Sequence, residues 1–129
     1  FDPPGMRLDD CGSQRNLDEQ GRDESRRIGA AFRAGAIPVD KVLSSRWCRC
    51  MDTARLAFGR VEHWEPLDGA RPGTELEARR TAQLRAFVST PFTGGNVVLV
   101  SHNFNIRALT GLSTISGEMV VLTPGEVVT

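Results

Sequence analysis

Two short segments hold the residues of this chain best suited to chemistry. In the first, Ser101-His102-Asn103 follows the apolar run Val97-Val98-Leu99-Val100. Four apolar residues after Gly94-Gly95-Asn96 read as a buried, parallel-type strand, so the polar residues that follow emerge at its carboxyl end, where open α/β sheets bind their ligands. Ile106, Ala108 and Leu109 resume an apolar pattern and predict a helix from Asn103 onward, with its free N–H groups turned toward the same edge as His102. A histidine beside such an anion-favouring end suits phosphate chemistry. On this segment alone, a surface histidine capping a turn explains the residues equally well.

The second segment breaks that tie. Lys41-Val42-Leu43-Ser44-Ser45 reads as a short strand ending in two hydroxyls, and Arg46 to Phe58 has helical character. Ser45, Arg49 and Thr53 are spaced by four and are expected on one helix face. Arg49 then lies in the first turn, where a guanidinium can clamp a phosphate through two parallel hydrogen bonds. A helical arginine is more often a solvated surface residue. Its pairing with a histidine after a second strand favours the functional reading.

Taken together, these residues resemble a family. Ser44-Ser45, three residues, Arg49, three residues and Thr53-Ala54 resemble one signature of the histidine phosphatase (phosphoglycerate mutase-like) superfamily, and Val98 to Ile106 resembles its second-histidine strand. The opening Asp2-Pro3-Pro4-Gly5, the stretch Asp10 to Leu17 with Glu19 and Gly21-Arg22, and the late Leu109-Thr110-Gly111 and Ser116-Gly117-Glu118 are similar to a bacterial branch of it.

The resemblance implies a reaction in which a histidine attacks phosphorus and the phosphohistidine is then hydrolysed, with a phosphomonoester or a phosphohistidine as substrate. An imidazole nucleophile splits phosphoryl transfer into two easier steps, and the rest of the site positions and neutralises the phosphoryl oxygens. Arg49 and His102 match the phosphate-clamping arginine and the second histidine, and Asn103 is a further substrate-binding candidate. The nucleophile belongs to an Arg-His pair at the end of a first strand. The chain opens on Phe1, after the place that strand would take, so an N-terminally truncated domain is expected. His63, the other histidine, is read as structural or exposed. Asp68, in Pro66-Leu67-Asp68-Gly69, and Glu118 are the candidate general acids, which an alcohol leaving group needs more than a phosphohistidine does. The implied partner is a phosphorylated small molecule or a phosphohistidine protein. No cofactor and no metal is implied. Export signals in similar proteins favour the periplasm, with the cytoplasm left open.

Composition narrows the remaining classes. With 129 residues and 40% apolar content, residues 1–129 can build one core and leave no room for a second. Sixteen basic and sixteen acidic residues cancel, so no global field recruits nucleic acid or an anionic membrane, and any anion site must be local. The longest aliphatic run is far below the roughly 18 residues of a membrane span. Cys48 and Cys50 flank Arg49 and Cys11 makes the count odd, so neither a full disulfide framework nor a four-ligand zinc site is supported. Free or partly paired thiols are expected. No cysteine has an arginine six residues later, which argues against a cysteine-based phosphatase loop.

The elements that would position these residues alternate. Asp18 caps a helix with an apolar stripe of Ile28, Ala31 and Phe32 that Gly35 and Pro38 end. Strand and helix follow from Val42 to Phe58, then a weaker strand near Val61. Thr74-Glu75-Leu76-Glu77 fits a capping box leading to a helix that ends near Ser89. A last strand is expected over Met119 to Leu122. The pattern favours a three-layer α/β/α sandwich with a mostly parallel sheet. A nucleotide-binding reading fails on order, because Gly94-Gly95 precedes its strand. The competitor to an incomplete copy of a phosphatase is a non-catalytic phosphate-binding or defunct relative. Retention of both Arg49 and His102 favours the incomplete copy.

Overall fold

The computed structural model describes residues 2–115 and 119–122. Among the described residues, three strands form a parallel sheet: β1 (Val39–Ser44), β2 (Glu62–His63) and β3 (Asn96–Val100), in the order β2-β1-β3. Leu43 pairs with Glu62 on one side and with Leu99 on the other, so β1 is the central strand. Parallel neighbours need crossovers, and four helices supply them or flank them: α1 (Glu19–Ala34), α2 (Cys48–Phe58), α3 (Glu75–Ser89) and α4 (Asn103–Thr110).

Side-chain alternation along the strands divides the molecule into layers. Leu43, Val97 and Leu99 point to one face, where they pack with Leu84 of α3, Leu109 of α4 and the loop residue Leu67. Val42 and Val98 point to the other face, where α2 lies with Ala54 and Ala57 buried. Helix α1 packs outside α2, and the contact is close. A Cβ on Gly29 would stand 1.9 Å from the Ala57 carbonyl oxygen, so only glycine admits that approach.

The helix ends follow the capping chemistry read from the sequence. The Asp18 side chain accepts from Gly21 N–H, and Thr74 accepts from Glu77 N–H while Glu77 returns a bond to Gly73 N–H. Two expectations are corrected. Residues 119–122 form no strand: Val121 is 90% exposed, because an apolar run becomes a strand only where a ladder partner is present. Helix α2 starts at Cys48, so Ser45 lies before it and only Arg49 and Thr53 share its face; Thr53 Oγ1 donates to the Arg49 carbonyl.

Candidate functional site

The carboxyl ends of β1 and β3 lie side by side, and the chain leaves both toward one cleft of about 490 Å³. Ser45 N–H donates to the Val100 carbonyl at 2.9 Å, which continues the ladder one residue past β1. Ser45 is fully buried, and its Oγ stands 3.0 Å from His102 Nε2. His102 is the N-cap residue of α4 but makes no capping bond with its side chain. The ring is instead stacked on Phe104, at 5.2 Å between centroids, and meets Trp47 edge-on at 5.8 Å.

Arg49 enters the same cleft from the first turn of α2, with its guanidinium 4.9 Å above the Trp47 ring. It donates to Asp2 Oδ1 at 3.1 Å and Oδ2 at 3.3 Å. Asp2 also accepts the Arg15 N–H. Burial would raise the Asp2 carboxyl, but the Arg15 hydrogen bond and the Arg49 guanidinium outweigh it and hold the group below the usual carboxylate value. Arg49 thus already holds an anion in this structure, supplied by the protein itself.

Asp68 forms another part of the wall. It is buried, accepts Arg46 N–H at 2.8 Å on Oδ1, and stands 3.0 and 3.1 Å from His63 Nε2 through its two oxygens. Its loop is fixed from beneath, since Ser101 Oγ and Asn105 Nδ2 both donate to the Leu67 carbonyl. Gly69 follows with φ +81°, and a Cβ there would meet the Phe104 ring at 2.7 Å. Glycine is therefore needed both for the turn and for the aromatic wall.

Burial, and next the Arg49 guanidinium, push the His102 imidazole down to about 4, against the opposing pull of Asp68 and Asp2. His102 is neutral at physiological pH and adds a neutral N–H or lone pair beside a cationic arginine. The depressed value ties stability to pH. The unfolded chain binds a proton near pH 6.5 that the folded chain refuses until about pH 4, so this contribution is complete above 6.5 and is lost as pH falls through that window. Urea unfolding at pH 7 and pH 4.5 should show a loss of about 2–3 kcal/mol from this group. In His102→Gln that part of the slope should vanish.

Arg49, His102 and Asp68 therefore line one cleft. Asn103 does not line it: as the first residue of α4 it is exposed, and Asn105 is the asparagine turned inward. Glu118 lies outside the described residues. His63 is exposed, as expected, and its ring is the partner of Asp68. Reasoning from the sequence also missed Asp2, Arg46, Trp47, Phe104 and Arg80 as cleft residues. It left the cysteines open; the structure joins Cys11 to Cys48 and leaves Cys50 free and buried. The Gln14 amide lies beside that bridge, accepting Cys48 N–H at 3.0 Å and donating to the Arg7 carbonyl. Among the described residues, no group of three or more His, Cys, Asp or Glu is placed to hold a metal ion.

Solved structures share this fold. The SixA protein of Agrobacterium tumefaciens, described as a candidate phosphohistidine phosphatase, superposes with a TM-score of 0.55 at 25% identity, over 84% of this chain and 68% of that one. TTHB049 from Thermus thermophilus superposes with a TM-score of 0.54 at 20% identity, over 85% and 75% of the two chains. No protein-family model and no curated protein matches the sequence. The fold is mixed α/β and phosphoglycerate mutase-like.

Proposed function

We propose that the cleft is a phosphoryl-transfer site, and that the protein hydrolyses a phosphomonoester or a phosphohistidine through a phosphohistidine intermediate. The carrying observation is the convergence of Arg49 and His102 on one cleft at the carboxyl edge of a parallel sheet. Arg49 supplies the two-pronged charge for the phosphoryl oxygens. His102, neutral and held by Ser45, Trp47 and Phe104, contributes a hydrogen bond to an equatorial oxygen. Likeness to SixA supports a phosphohistidine protein as one candidate substrate.

Neither histidine serves as the nucleophile in this reading. His63 is bonded to Asp68 and His102 to Ser45. The attacking imidazole comes from an Arg-His pair on a strand upstream of residue 2. The free side of β3 supports this: Val97 to Val100 are all apolar yet only half buried, and among the described residues β3 pairs with β1 alone. The same engagement of both histidines favours the second reading, a phosphate-binding protein without turnover.

Acid-labile phosphate trapping separates the two. Residues 1–129 should bind phosphate without hydrolysing p-nitrophenyl phosphate or a phosphohistidine peptide, whereas a chain extended upstream through the Arg-His strand should form a phosphoenzyme and turn over. Robust hydrolysis by 1–129, abolished in His102→Ala, would make His102 the nucleophile and overturn these roles.

A further inference from the structure

We infer that the Cys11–Cys48 disulfide is a redox latch that keeps Asp2 seated on Arg49, so that its reduction by a dithiol opens the anion site. The inference rests on the reading of Arg49 as an anion clamp and adds a means of control to it.

Among the described residues, the segment ahead of α1 holds one 3-10 turn (Cys11–Ser13) and places no side chain in the hydrophobic core cluster. Little apolar burial offsets the conformational entropy of ordering it. What fixes it is the bridge from Cys11 to Cys48, the Gln14 amide on Cys48 N–H, and Asp2 on Arg49. The covalent tie ends on the residue immediately before Arg49. It thereby sets a high effective concentration of the Asp2 carboxylate at the guanidinium, since only the short stretch from Asp2 to Cys11 separates the two. A phosphate reaching Arg49 must first displace that carboxylate.

The bridge is open to exchange from the Cys11 side. Cys11 is exposed and Cys48 buried, so one thiolate of the dithiol attacks Cys11 Sγ and the Cys11–Cys48 bond breaks. Cys48 leaves as a thiolate at the first residue of α2, where the helix N–H groups favour negative charge. The second thiol of the reductant then displaces Cys11, closing the reductant into its own disulfide. The two protons of the dithiol end on Cys11 and Cys48. Cys50 takes no part: it donates to the Ser101 carbonyl, and burial pushes its thiol up to about 11.

The test is calorimetric titration of residues 1–129 with inorganic phosphate, oxidised and after reduction by dithiothreitol. Reduction should tighten binding about tenfold, Cys11→Ser should match the reduced protein without reductant, and Asp2→Asn should show the gain while still oxidised. In Asp2→Asn, reduction should add nothing. Unchanged or weaker binding on reduction overturns the latch, as does a full response to reduction in Asp2→Asn. If circular dichroism shows the reduced chain unfolded, the oxidised Asp2→Asn comparison decides, and no gain there overturns the proposal. Absence of phosphate binding in every form, Asp2→Asn included, would instead remove Arg49 as the clamp and the latch with it.

Discussion

Replacing Arg49 by Ala should weaken phosphate binding by well over tenfold, measured by calorimetry on a protein whose fold is verified by circular dichroism. A charge-assisted hydrogen bond to phosphate contributes roughly 1.5–3 kcal/mol, and Arg49 can offer two in parallel. Arg49 lies over Trp47, and its guanidinium is already partly desolvated, with the side chain 22% exposed. Little further desolvation is needed when an anion arrives. Because Asp2 competes for the same group, the comparison is cleanest between Asp2→Asn and the Asp2→Asn, Arg49→Ala double variant. Arg49→Lys should recover only part of the affinity, since an ammonium offers a point charge without the planar fork and stacks less well on the indole. Equal affinities with and without the Arg49→Ala substitution would take Arg49 out of the site.

How far the site could be read without a structure depended on the range of the interactions that build it. Val97 to Val100 followed by Ser101-His102 was legible because a four-residue apolar run, a polar exit and a resumed helical pattern are all local. The same held for Asp18 and Thr74 as caps, whose bonds span three residues. Arg49 was legible from its place in the first turn of a helix after a strand. Asp2 was not, because its bond to Arg49 crosses 47 positions and nothing in Asp2-Pro3-Pro4-Gly5 marks a long-range partner. The Cys11–Cys48 bridge crosses 37 positions, and with an odd cysteine count, spacing does not choose among pairings. His63, read as structural or exposed, is both, but its partner was not legible for a related reason. Its sequence neighbours are Glu62 and Trp64, yet its ring meets Asp68 only because the 3-10 turn at Glu65–Asp68 folds that carboxylate back. Met119 to Leu122 misled in the opposite direction: local β propensity was present and, among the described residues, a ladder partner was not.

Asp68→Asn, in the upstream-extended protein, should slow phosphoenzyme formation from an alkyl phosphate by about 100-fold or more, the range typical of a lost general acid. The same substitution should change phosphoenzyme formation from a phosphohistidine peptide or p-nitrophenyl phosphate far less, because those leaving groups depart without a proton from a carboxylic acid. The position supports the role. Asp68 is buried in the cleft wall that holds Arg49 and His102, while its partner His63 has a side chain 39% exposed and so connects the carboxyl to solvent. In that role an Asp68 carboxyl would give its proton to the departing oxygen as the P–O bond breaks, and the carboxylate left behind would be met by His63 and the Arg46 N–H. Asparagine keeps the oxygen that accepts from Arg46 and nearly the same volume, so the loop pinned through the Leu67 carbonyl should stay in place. Thermal unfolding should confirm that. Following acid-labile phosphate on the first turnover isolates the step in which the leaving group departs, whatever limits the later hydrolysis. A loss of equal size for all three substrates would show that Asp68 positions the cleft through Arg46 and His63 instead of donating a proton, and the search for the acid would move to Glu118.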